Sequence, residues 1–267
     1  MPLNRRGTPE EEGRERGGGR KQTKAVWVIT RLDSIVIVWL SRQPLFRMEV
    51  FVIVTVLWVF SVCIHEFGHA IVAYWGGDHT VREKGYLTLN PLHYSHPVYS
   101  LLMPVIFMVM GGIGLPGGAV YIERHLLRSR WWETAVSLAG VTMQVPLILL
   151  IALAFKVGWV HNDPESLSGV SLGFLLQLEI SAILLNLIPV PPLDGFQAIA
   201  PWLPPDVRER ARGNANVGIF VVFIALWAVQ PVNHAFWSLT YSISETLGVD
   251  RDMSYVGWQT FRFWEHR

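Results

Sequence analysis

The chain has 267 residues, of which 51% are apolar and 16% are charged, and it contains 12 Trp. Soluble domains carry about 25% charged residues, so this composition excludes a disordered chain and favours a polytopic membrane protein. The net charge of +1 gives no reason to expect a nucleic-acid partner, and the single cysteine, Cys63, excludes an internal disulfide and a cysteine-based zinc cluster.

The two ends of the chain differ in composition from its middle. Residues 1–25 hold seven basic and four acidic side chains with five Gly, which predicts a disordered basic tail rather than a signal peptide. Residues 26–48 are apolar but interrupted by charged residues. This pattern is compatible with either an interfacial helix or a first membrane helix. Residues 244–267 are predicted to be a polar C-terminal tail.

Between these ends, residues 49–243 form the predicted membrane domain. Its apolar segments cover 50–75, 99–122, 131–159, 170–188 and 216–243. Gly76-Gly77 is expected to end the first of them, and Gly and Pro residues break the second, as in a re-entrant segment. We therefore predict an all-α membrane protein, a polytopic helical bundle with about five to six transmembrane or re-entrant segments, and a short β-hairpin near Tyr86–Leu89.

One motif carries most of the chemical information: His65-Glu66-Phe67-Gly68-His69. Residues four apart on an α-helix lie about 40° apart on one face, so His65 and His69 can reach a single metal ion. Zinc accepts imidazole nitrogens, and catalytic zinc sites use three protein ligands and water. Glu66 stands beside the first ligand, where it can take a proton from that water. Ionisable groups inside an apolar segment are costly and usually functional.

A third ligand must come from a distant part of the chain. Asp194 is the first candidate, because it follows an apolar segment that prolines interrupt, and irregular backbone at membrane depth is tolerated where it lines a cavity. Glu179 is the competing candidate, but it lies fifteen residues earlier, about 22 Å along a helix. The two acids cannot lie at the same depth, and spacing alone favours Asp194 only modestly.

These motifs resemble those of the site-2 proteases, the zinc intramembrane metalloproteases. His65–Ala70 (HEFGHA) is similar to their first zinc motif, and Asn186–Gly195 (NLIPVPPLDG) is similar to their NxxPxPxLDG motif. The resemblance implies that His65, His69 and Asp194 bind Zn²⁺ and that Glu66 is the general base. It further implies that Asn186 steadies the substrate carbonyl or its oxyanion.

The resemblance also implies a setting and a partner. We expect a multi-pass protein of the cell membrane, embedded in the lipid bilayer, that cleaves single-pass membrane-protein substrates in regulated intramembrane proteolysis. Two alternatives remain: a non-proteolytic zinc-binding membrane protein, and another membrane zinc hydrolase that uses Glu179 as its third ligand.

The chain departs from the family pattern in two places. Tyr94 and His96 stand where the family often has His and Asp after its Asn-Pro, and Gln144 stands where an Asn is usual after Ser-Leu-Ala-Gly. Neither place is a zinc ligand in the family, so the departures bear on substrate contacts and subfamily.

Overall fold

In a computed structural model of the protein, residues 44–90 and 120–264 are described. The regular secondary structure of this part of the chain consists of helices joined by turns and irregular linkers, and no strand occurs in it. Its α-helices, in chain order, are α1 (Pro44–Gly76), α2 (Thr80–Glu83), α3 (Arg130–Lys156), α4 (Leu167–Asn186), α5 (Asp194–Ile199), α6 (Pro205–Gly213), α7 (Ala215–Ala228), α8 (Gln230–Thr246) and α9 (Arg251–Phe261). Two 3-10 turns, Arg124–Leu126 and Ala200–Trp202, precede α3 and follow α5.

Three helices, α1, α3 and α4, are long and apolar enough to cross a membrane. A fourth span arises if α6 and residues 217–228 of α7, which meet at a 68° bend, are taken as one broken span. The prediction of an all-α membrane-type chain agrees with this. The prediction of five to six segments is not confirmed, and neither is the hairpin near Tyr86–Leu89, where the described residues form bends.

Several predictions fall outside the described residues. They are the basic tail 1–25, most of the segment 26–48, the re-entrant segment within 99–119, and the departures at Tyr94 and His96.

The ends of the long helices follow local sequence. Helix α1 ends at Gly76, and Gly77 adopts a positive φ of 119°, a conformation that glycine reaches without steric cost. Helix α4 begins after Ser166, whose hydroxyl accepts a hydrogen bond from the backbone N–H of Gly169 at 3.1 Å. The sequence predicted the end of α1 correctly.

The core lies between α1, α3, α4 and α9. Apolar side chains such as Trp58, Leu175 and Phe261 are almost fully buried there. Helices α1 and α3 cross closely at Gly68, because a Cβ at that position would lie 2.8 Å from the carbonyl oxygen of Ala139. This close crossing brings the backbone of α3 up to the face of α1 that carries the HEFGH motif.

The segment 244–267, predicted as a polar tail, contains helix α9. Met253 and Phe261 of this helix are buried in the core together with Val249, which precedes the helix, and its exposed residues are Arg251, Asp252 and Tyr255. Gly257 permits the contact with α4, since a Cβ there would meet the carbonyl oxygen of Val170 at 2.7 Å. Apolar residues that recur at helical spacing in an otherwise polar segment produce this packing.

Candidate metal centre

Helix α1 presents His65 and His69 on one buried face. The two side chains are four residues apart, and their residues are only 4% and 8% exposed. Their rings meet edge to face, with centroids 4.6 Å apart, and the two Nε2 atoms lie 3.0 Å from each other. The helical spacing alone therefore brings two potential ligand atoms together.

Asp194 reaches this pair from the first residue of α5. Its carboxylate oxygens lie 3.2 Å from Nε2 of His65 and 3.5 Å from Nε2 of His69. Helix α5 folds back closely on the end of α4. Gly195 permits this approach because it has no Cβ, which would collide with the carbonyl group of Leu187.

The other ring nitrogens fix how the two imidazoles are protonated. Nδ1 of His65 lies 2.9 Å from Oε1 of Gln144, and Nδ1 of His69 lies 2.6 Å from the carbonyl oxygen of Val136. Both partners are acceptors, so each Nδ1 carries a proton, which makes Nε2 the atom of each ring that can bind a metal ion. The two Nε2 atoms and the carboxylate would then offer lone pairs to one point, where a bound cation would be stabilised.

The chemistry of this His-His-Asp cluster suits zinc. One ligand atom from each of the three residues can be chosen so that all lie within 4.8 Å of one another. Two imidazoles and one carboxylate are a zinc donor set, and three protein ligands leave a fourth position for water or substrate. The buried Oδ2 of Asp194 has no hydrogen-bond partner of good geometry among the described residues, which fits a metal ligand.

The other two predicted site residues, Glu66 and Asn186, are both buried. Glu66 is 2% exposed, follows His65 directly in the chain, and accepts a hydrogen bond at 3.3 Å from the backbone N–H of Val120. Asn186 is buried at the last position of α4. Among the described residues, its side chain makes no hydrogen bond with the cluster.

Glu179, the competing ligand, lies outside the cluster. Its Oε2 accepts hydrogen bonds from Oγ of Ser61 at 2.7 Å and from Nε2 of Gln144 at 3.1 Å. Gln144 in turn contacts His65, so Glu179 is one residue removed from the cluster. Sequence reasoning missed Ser61 and treated Gln144 only as a departure. Both are polar residues within apolar helices, and this feature of the sequence could have identified them as candidates for a role near the metal centre.

Comparison with known proteins yields relatives in two groups of bacteria. The chain is 40% identical over 222 residues to a protein of Mycolicibacterium smegmatis named "Putative zinc metalloprotease Rip2", covering 83% of this chain and 84% of the relative. A Mycobacterium tuberculosis protein of the same name is 38% identical over 229 residues, covering 85% and 87%. A Bacillus subtilis protein named "Putative zinc metalloprotease YwhC" is 31% identical over 203 residues, covering 73% and 88%.

No family model matches the chain, and no solved structure matches it. The relatives nevertheless extend over most of both sequences, and their names agree with the donor set of the His-His-Asp cluster. The predicted Zn²⁺ cofactor is thereby confirmed. The chain belongs to the zinc metalloprotease family that includes Rip2 and YwhC.

Proposed function

We propose that the protein is an intramembrane zinc metalloprotease of the site-2 protease type, in which His65, His69 and Asp194 hold the zinc ion. The observation that carries the proposal is the convergence of two Nε2 lone pairs and a carboxylate at the buried faces of apolar helices. The family membership supports the hydrolytic chemistry, and the helical setting supports its location.

The setting favours a multi-pass protein of the cell membrane. His65 and His69 lie within α1, which is long and apolar enough to span a bilayer, and Asp194 follows the end of α4, which is another such helix. The linker between α4 and Asp194 is irregular, and irregular backbone at membrane depth is tolerated where it is buried in protein or lines a cavity. A peptide bond cleaved at this cluster would therefore lie in or beside the membrane.

Different residues of the chain have different roles in the proposed hydrolysis. His65, His69 and Asp194 would hold a zinc ion, which would supply a Lewis acid for the scissile carbonyl and lower the pKa of the attacking water. Glu66 accepts the proton of the attacking water and later delivers it to the leaving amide nitrogen. The backbone N–H of Val120 bonds to Glu66 and holds its carboxylate in place. Asn186 donates a hydrogen bond to the substrate oxygen as negative charge develops there.

The substrate class follows from the location of the cluster. Single-pass membrane proteins present one helix that can approach a bundle laterally, and their cleavage in regulated intramembrane proteolysis would release a domain from the bilayer. A membrane helix hides its peptide bonds in internal hydrogen bonds, so the segment to be cut must unwind locally. Helix-breaking residues near the cleavage site should accelerate the reaction.

The test is cleavage of a single-pass substrate helix in reconstituted membranes. Glu66→Gln keeps the shape of the side chain but removes the base, so turnover should fall by roughly 10²–10⁴-fold while bound zinc, measured by elemental analysis, stays at the wild-type level. A zinc chelator should abolish cleavage by the wild type. Cleavage undiminished in Glu66→Gln would refute the role of Glu66, and zinc binding without any cleavage would indicate a non-proteolytic zinc protein.

A further inference from the structure

A buried polar network joins three helices next to the His-His-Asp cluster. Ser61 comes from α1, Gln144 from α3 and Glu179 from α4, and the three residues are 0%, 2% and 0% exposed. We call these three residues the amide relay, because the side-chain amide of Gln144 connects Glu179 to His65. Buried polar groups between apolar helices are costly, so a network of this kind needs a role beyond packing.

The hydrogen bonds of the relay fix the orientation of the Gln144 amide. Its Nε2 donates to Oγ of Ser61 at 3.2 Å and to Oε2 of Glu179 at 3.1 Å, so the NH₂ group faces these two oxygens. The hydroxyl of Ser61 donates to the same carboxylate oxygen at 2.7 Å. With its NH₂ group held in this way, Gln144 can turn only its Oε1 toward His65.

The orientation of this amide determines the ligand atom of His65. Because Oε1 of Gln144 accepts from Nδ1 of His65 at 2.9 Å, the proton stays on Nδ1 and the lone pair on Nε2 faces Asp194 and His69. A reversed amide would direct NH₂ at Nδ1. The proton would then have to move to Nε2, and that nitrogen could no longer bind a metal.

We propose that Glu179 and Gln144 are positioning residues for zinc, with Glu179 locking the Gln144 amide so that His65 binds the ion through Nε2. Outer partners of a metal-bound histidine commonly fix its tautomer and orientation in this manner. The inference rests on zinc binding at the His-His-Asp cluster and not on the identity of the substrate.

The decisive variant is Glu179→Gln in the full-length protein in detergent. Glutamine at this position can donate as well as accept, so the Gln144 amide is free to reverse. Zinc affinity, measured by competition with a zinc-binding dye, should fall by about 10–100-fold. If this variant does not yield folded protein, Gln144→Met tests the contact between Gln144 and His65. Methionine has a similar volume but no amide oxygen to accept from Nδ1 of His65. Zinc affinity should fall by the same factor.

The double variant Gln144→Glu/Glu179→Gln restores the direction of the hydrogen bonds in the relay and leaves the net charge unchanged. The new carboxylate accepts from Nδ1 of His65, and the new amide donates to that carboxylate. Zinc affinity should return to near the wild-type value, which a merely space-filling role would not produce. Gln177→Leu is the matched control: Gln177 is a buried polar residue on α4, like Glu179, but its side chain makes no hydrogen bond with the relay among the described residues, so zinc affinity should not change.

The outcomes separate this inference from the proposed function. Wild-type protein that binds no zinc would overturn both. Tight zinc binding by the wild type and equally tight binding by Glu179→Gln would overturn the relay alone. A double variant as weak as Glu179→Gln, or a loss of similar size in Gln177→Leu, would overturn it as well, because the effect would then not depend on the direction of the hydrogen bonds.

Discussion

The Nδ1 atom of His69 lies 2.6 Å from the carbonyl oxygen of Val136, so the backbone of α3 supplies the outer partner of a side chain on α1. A carbonyl oxygen has two lone pairs and can serve both its own helix and an imidazole. The approach is possible because Gly140, one turn later, has no side chain. The orientation of His69 therefore depends on how closely two helix backbones pack.

Gly140→Ala should disable the metal centre. A Cβ at this position would collide with the ring of His69 and lie 2.6 Å from Nε2 of His65, and the imidazoles or α3 would have to move. We expect zinc affinity to fall by at least the factor of about 10–100 that follows the loss of a hydrogen-bond partner of a metal ligand. Elemental analysis after dialysis and dye competition measure the effect.

Gly213→Ala is the control for this substitution. Gly213 is the last residue of α6, and a Cβ there would meet nothing within 4 Å. Zinc affinity and thermal stability should stay at wild-type levels. Equal zinc binding by the Gly140 and Gly213 variants would contradict the tight geometry of the centre.

Asp194→Asn should separate the two candidate third ligands. The substitution keeps the shape of the side chain but removes the charge that balances zinc, so the purified protein should contain little or no zinc after dialysis. Glu179→Gln should retain zinc at saturating concentration, because it weakens affinity without removing a ligand. The exposed Asp206→Asn is the control for loss of a carboxylate. Full zinc content in Asp194→Asn would favour the alternative hydrolase with Glu179 as ligand.

Asp78→Ala should affect turnover without removing zinc. The buried carboxylate of Asp78 accepts hydrogen bonds from the backbone N–H of Glu123 at 2.8 Å and of Thr80 at 3.0 Å, so it ties the segment at 120–123 to the end of α1. That segment holds the N–H of Val120 against Glu66. Leaving buried donors unpaired costs about 1–3 kcal/mol, and the released segment should lower the rate of peptide cleavage.

The control for Asp78 is Asp163→Ala. Asp163 also accepts a backbone N–H bond, from Glu165 at 2.9 Å, but it is exposed and far along the chain from α1. Zinc content should be normal in both variants, and only the Asp78 variant should be slow. A fully active Asp78 variant would show that Glu66 does not depend on this segment.

The sequence predicted the three long apolar helices α1, α3 and α4 because their length and lack of charge are local properties. It placed the end of α1 at Gly76-Gly77 correctly for the same reason, since a glycine turn is encoded within a few residues. It did not predict the packing of α9 or the depth at which the helices meet. Those features depend on contacts such as Gly257 against Val170, which join distant parts of the chain.

The part of the metal cluster that a local motif contains could be predicted from the sequence. The four-residue spacing of His65 and His69 follows from helix geometry, whereas the choice between Asp194 and Glu179 depends on how α4 and α5 pack against α1. A single sequence does not contain that packing. In the structure, Asp194 lies beside both imidazoles, and Glu179 is bonded to Gln144 instead.

Arg47→Met should destabilise the bundle at the end away from the metal centre. Arg47 is 4% exposed, and its guanidinium donates to the carbonyl oxygens of Gln259 at 3.0 Å and Arg262 at 2.8 Å, where α9 ends. A cation favours a helix C-terminus, and its loss removes the hydrogen bonds of partly buried carbonyls, so we expect about 1–3 kcal/mol of destabilisation. The midpoint of thermal unfolding, followed by tryptophan fluorescence, should drop in Arg47→Met and stay unchanged in the exposed Arg212→Met. Because this contact lies at the start of α1, about 27 Å along the helix from His65 by the rise per residue, zinc affinity should be preserved in the folded variant.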